Sequence, residues 1–227
     1  MLEFPLYHGT STIFLESIKK HGLGGWDPIK EWRVLECARL LLPIAEAHAE
    51  HSEVITNHIG TARKMVSQVN DGMNFQHGQV YLSPAELTAV HYATSKKKGS
   101  ELISRVVLFI EELTRLKVKA VTHDIYTEFP RLVELQDIDS APILIKVNQV
   151  KKDSLLSENG ALPNENIDFI RSIKIKYPDS WETICQQSNF RLIAPVPAAD
   201  LTVNLISVRS RGFWGMDPDY GLIEVKL

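Results

Sequence analysis

Apolar positions recur at helical spacing through the first third of the chain and crowd into short β-branched runs further on. After an apolar entry at Leu6-Tyr7, Thr10-Ser11-Thr12 offers an N-cap for a short helix with Ile13, Phe14 and Ile18, closed by Lys19-Lys20-His21 and Gly22. Residues 22–28 form a glycine-rich turn that matches neither GxGxxG nor GxxxxGK, and Pro28 suits the first turn of a new helix. Over about 29–69, Trp32, Leu35, Leu40, Leu41, Ile44 and Ala47 make one helical stripe, and Val54, Ile55, Ile59, Ala62, Met65, Val66 and Val69 make another. The pattern predicts two helices, broken near Ser52 and set into the chain as an insertion.

Asn70-Asp71-Gly72 reads as a turn and 78–83 as a short strand. Pro84 then opens a helix through Leu87, Ala89, Val90, Tyr92 and Ala93, whose Lys96-Lys97-Lys98 end suits the helix dipole. The apolar stretch over 102–119 satisfies a strand or a buried helix, with a strand expected at 105–110. Residues 141–147 are the clearest strand, 151–166 read as loop, and 167–175 is ambiguous. Pro178-Asp179-Ser180 caps a short helix through Trp181, Ile184 and Cys185. Residues 190–197 are a strand running into a proline turn, 200–208 a further strand, and 211–218 a loop.

At 227 residues, 44% hydrophobic and 23% charged, the chain has the composition of one globular domain over 1–227 with a helical insertion at about 29–69. A net charge of −3 argues against a wholesale electrostatic nucleic-acid binder and leaves a local phosphate-contacting patch open. Cys37 and Cys185 provide neither a disulfide framework nor a cysteine zinc site. The first six residues are too short and too acidic for a signal peptide, and no apolar run reaches about 18 residues. The expectation is a cytoplasmic protein with no membrane partner. His48 and His51 share a helix face near Glu46, Glu50 and Glu53, but without an HExxH arrangement a solvated polar face explains them, and no metal is expected.

Three segments carry candidate chemistry: Tyr7-His8-Gly9-Thr10, then Val80-Tyr81-Leu82-Ser83 leading to Ala89 and Tyr92-Ala93, then Asn189-Phe190-Arg191 ahead of Val196-Pro197. Gly9, without a Cβ, lets a ligand approach the backbone beside His8. Together these segments resemble the ADP-ribosyltransferase superfamily, in its His-Tyr-Glu branch of poly(ADP-ribose) polymerases and toxins, related to RNA 2′-phosphotransferases. The resemblance implies an α+β fold with a split antiparallel β-sheet around an NAD cleft. It makes His8 the group that holds the nicotinamide ribose and Gly9 the backbone that bonds the carboxamide. Tyr81 and Tyr92, eleven residues apart, become the pair that sandwiches the nicotinamide ring. Thr10 and Ser83 complete the cofactor-binding set.

Two positions depart from the family. A serine often found three residues before the second tyrosine is Ala89 here. The strand-initial glutamate falls on Asn189, which bonds ribose but cannot act as a base. A shift of register would leave Gln187 or Arg191 there, and Glu182 lies one or two helical turns earlier. His8, Tyr81 and Asn189 are thus the candidate catalytic set, and Arg191, Arg211 and Trp214 the substrate-binding set.

The implied activity is NAD-dependent mono-ADP-ribosylation of a macromolecular target, nucleic acid or protein, by a bacterial toxin or phage-defence effector with an antitoxin as partner. NAD is the co-substrate. The alternatives are an RNA 2′-phosphotransferase-like enzyme and a catalytically inactive module that binds NAD, ADP-ribose or nucleic acid.

Overall fold

In the computed structural model, residues 1–68, 70–71, 73–74, 77–119, 121–210 and 218–227 are described. The first half of the chain forms β1 (Leu6–Ser11), α1 (Leu15–His21), α2 (Pro28–Glu31), α3 (Val34–Ala47), α4 (Glu53–Val66), β2 (Asn70–Asp71), β3 (Met73–Asn74), β4 (Val80–Leu82), α5 (Glu86–Ser95) and α6 (Glu101–Arg115). The second forms α7 (Tyr126–Glu128), α8 (Pro130–Glu134), β5 (Pro142–Val147), β6 (Leu155–Ser157), α9 (Asn164–Lys176), α10 (Trp181–Ile184), β7 (Phe190–Leu192), β8 (Leu201–Ser210) and β9 (Asp219–Val225). Helices with separate antiparallel sheets make an α+β fold.

The chain divides into two compact units. One gathers 1–26, 79–99 and 140–227, and the other gathers 27–78 and 100–139. The first holds both larger sheets, one in the order β1-β5-β8-β9 and one in the order β4-β7-β6. Among the described residues they meet through one bridge, in which Tyr7 and Ser83 exchange two backbone hydrogen bonds of 2.8 Å. Helix α5 lies on β1 and β5, where Tyr7, Ala89, Val90, Ala93, Leu144 and Ile206 bury one another. The small residues on α5 allow this close approach. A β-carbon at Gly9 would lie 1.9 Å from the Ala89 carbonyl oxygen, so glycine is required by the packing of α5 as well as by any ligand.

The second unit packs α3, α4 and α6 against one another. Its helix break falls at Ser52, whose hydroxyl caps α4 by accepting from the Ile55 amide and donates to Glu112. The insertion expected over about 29–69 lies inside this unit, which also takes 100–139.

Several sequence expectations are corrected. The strand expected at 105–110 is part of α6. There Leu102, Ile103, Val106, Val107, Phe109, Ile110 and Leu113 are all buried, at the spacing of one helix face. Helix α5 begins at Glu86, two residues after Pro84. Helix α5 ends at Ser95 with Lys96 as its C-cap, and of the two lysines that follow, Lys97 is exposed while Lys98 is only 2% exposed. The stretch 151–166, read as loop, contains β6 and the start of α9.

Candidate functional site

Strand β7 lies between β4 and β6, and its register sorts the side chains of all three into two faces. Tyr81 pairs with Arg191 and Leu156 pairs with the same residue, and the two ladders end where Leu82 and Ser157 flank Phe190, the residue after Asn189. Leu82, Phe190, Leu192, Leu155 and Ser157 belong to the opposite face and are buried. Tyr81, Arg191, Asn189, Leu156 and Glu158 are half-buried. Tyr81, Asn189 and Arg191, singled out from the sequence, therefore share the accessible face of one small sheet.

His8 belongs to the neighbouring sheet, on the face of β1 that carries Ile145 and Val203. Its Nδ1 lies 2.8 Å from the Tyr81 carbonyl. A carbonyl oxygen only accepts, so Nδ1 carries the proton and donates, leaving Nε2 as an acceptor in the neutral ring. Burial lowers the His8 pKa, and the Tyr81 carbonyl opposes this only in part, so the neutral form is favoured. The ring can then receive a hydroxyl proton at Nε2.

Beyond the Tyr7–Ser83 bridge the β1–β4 ladder is not continued. Tyr7 turns its amide and carbonyl toward β4, and the alternation of an antiparallel strand turns those of Gly9 to the same side. Gly9 thus offers a donor and an acceptor at the place where the two sheets part, next to the His8–Tyr81 contact.

The remaining residues singled out from the sequence have different surroundings. Thr10 is 2% exposed and donates to the Gly99 carbonyl at 3.0 Å, so its hydroxyl fixes the turn after α5. Ser83 is 5% exposed and its Oγ accepts from the Ala85 amide. Tyr92 stands on α5 at 38% exposure. Gln187 is exposed, in the turn before β7. Arg211 and Trp214, with the loop at 211–217, lie outside the described residues.

Glu182, on α10, accepts from the Glu86 amide at the start of α5, and Tyr220 donates to the Glu86 carboxylate at 2.9 Å. Burial first, then the nearby Glu86 carboxylate, raises the Glu182 pKa against the bond from the Glu86 amide. Burial and the same two carboxylates push the Tyr7 hydroxyl up to about 12. This cluster closes the end of α5 against β1 and β9, on the Tyr7 face rather than the His8 face.

Sequence reasoning missed Glu158. Asn189 Nδ2 donates to its Oε2 at 3.1 Å, and the two residues are 31 positions apart. The signal was a two-residue polar step, Ser157-Glu158, after the apolar pair Leu155-Leu156, within what reads as loop. His48 donates from Nδ1 to the Ile44 carbonyl, and among the described residues no group of three or more His, Cys, Asp or Glu comes together around a metal position. No helix among them is long and apolar enough to cross a membrane. Comparison with protein-family models, curated proteins and solved structures found no match to the chain.

Proposed function

We propose that the chain is an NAD-dependent mono-ADP-ribosyltransferase with an ADP-ribosyltransferase-type split sheet, acting on a nucleic acid or protein in the cytoplasm as a toxin or phage-defence effector that an antitoxin restrains. The observation that carries this reading is the His8–Tyr81 contact at the parting of two antiparallel sheets, with the Gly9 amide and carbonyl turned to the same gap. A neutral His8 accepts a ribose hydroxyl at Nε2. Gly9 bonds a carboxamide through both backbone groups. Tyr81 and Tyr92 supply aromatic faces to a cationic nicotinamide ring. Loss of nicotinamide leaves an oxocarbenium-like C1′, which such a fixed polar setting stabilises while the target attacks. Asn189 in place of an acid favours single transfer over polymer growth, and it also favours the second reading, a binding module without turnover.

Labelled NAD incubated with the protein and, separately, with cellular RNA, DNA and protein discriminates among these. Transfer of label to one fraction, abolished in His8→Ala and reduced at least about 100-fold in Tyr81→Ala, is the expected result. Binding without nicotinamide release would leave the binding module. Loss of phosphate from 2′-phosphorylated RNA would establish the phosphotransferase instead.

A further inference from the structure

We infer that Glu158 is the proton acceptor of this site and that Asn189 is its positioning residue; this rests on the transferase reading and deepens it. An amide at Asn189 accepts hydrogen bonds but takes up no proton, so the reacting nucleophile needs a base from elsewhere. The sheet supplies one across the strand. Glu158 directly follows the last residue of β6 and Asn189 directly precedes the first residue of β7, its pairing partner strand, and the two side chains meet there at 3.1 Å.

The orientation of the Asn189 amide follows from chemistry alone. A carboxylate accepts only, so the NH2 group points at Glu158 Oε2 and the carbonyl oxygen points away. Among the described residues that oxygen, Oδ1, is buried with no partner, as is the buried Arg191 Nε at a neighbouring strand position. A buried acceptor left unpaired is costly, and a ligand hydroxyl would satisfy it. Glu158 itself has no cationic partner among the described residues, which leaves its second oxygen open to a proton from a substrate.

The turn bearing Glu158 is braced from within. The Ser157 amide donates to the Ala161 carbonyl and the Gly160 amide to the Ser157 carbonyl, each at 2.9 Å, and the Ala161 amide donates to Asn159 Oδ1 at 3.2 Å. The carboxylate is therefore held by its own turn and by Asn189 before any substrate arrives.

In the step assigned to it, the bond from nicotinamide N1 to ribose C1′ breaks and its electron pair leaves with nicotinamide. A target hydroxyl or amine forms the new bond to C1′ and passes its proton to Glu158, which releases it to water. NAD and target give ADP-ribosyl target, free nicotinamide and one proton.

The test uses the full chain with NAD, reading NAD affinity, nicotinamide release and label transfer for the wild type, Glu158→Gln and the double variant Glu158→Gln/Asn189→Glu. The amide oxygen introduced by Glu158→Gln still accepts from Asn189, so the turn is retained. Turnover is expected to fall by about 100-fold or more, the usual range for a lost general base, while NAD affinity is unchanged. The double variant returns a carboxylate to the same row and should recover part of the rate. Wild-type turnover with full activity in Glu158→Gln overturns the role of Glu158 and leaves the transferase reading standing. A wild type that neither binds nor consumes NAD overturns both.

Discussion

His8 shows how one side chain records its surroundings. Burial holds its folded-state pKa below the ordinary value of 6.5, so in the interval beneath 6.5 the unfolded chain binds more protons than the native one. Stability from this residue is complete above about 6.5 and is lost as the pH falls toward the folded-state value. Chemical denaturation at pH 7.5 and pH 5 should show a loss for the wild type that is smaller in His8→Gln; equal losses would deny His8 this part. The histidine and its glycine were legible because they sit together in one short segment. Glu158 was not, because nothing local marks a residue whose role comes from a neighbour 31 positions away. The burial of Lys98 was hidden for the same reason: it is a tertiary fact that a lysine run at a helix end does not reveal.

Among the elements, the helices α3 and α4 and the short strands β4 and β7 were readable, and β6 was not. The break at Ser52 lay in the sequence as a change of stripe and a capping serine. Helix α6 was mistaken in part for a strand because Val106-Val107-Leu108-Phe109-Ile110 is a β-rich run. The apolar positions on either side of it complete a helical face instead. Strand β6 shows no apolar–polar alternation in Leu155-Leu156-Ser157 and is followed by Gly160 and Pro163, so it read as loop. The contact between β1 and α5 is where substitution should be most costly. Gly9→Ala drives a methyl into the backbone of Ala89, 1.9 Å from its carbonyl oxygen, and neither main chain can step aside without breaking its own hydrogen bonds. Denaturant titration should give a loss of about 3 kcal/mol, the upper end for overpacking; a loss under about 0.5 kcal/mol would mean that the helix stands off the strand.

For the molecule as a whole, the α+β character was legible in the sequence, while the assembly of each compact unit from separated stretches was not. The first unit is assembled from three separated segments and the second from two. No local pattern reports a contact between residues that far apart. Within the first unit β5 is paired on both sides, with Ile143, Leu144, Ile145 and Val147 all buried, while β9 is an edge strand with Leu222 and Ile223 exposed. Native-state amide exchange should therefore be slowest in 143–147 and much faster in 219–225; the reverse order would contradict the strand order.

The pairing of β1 with β5 also sets a timetable. Leu6 lies opposite Val147, so the strand that bears His8 has no sheet to join until the ribosome has passed that residue, and Tyr81 has no partner on β7 until Arg191 has followed. At about 5–20 residues per second the nascent chain spends roughly 10–40 seconds with these parts unassembled. A polypeptide with this threading holds His8 and Tyr81 apart from their strand partners until Arg191 has been made.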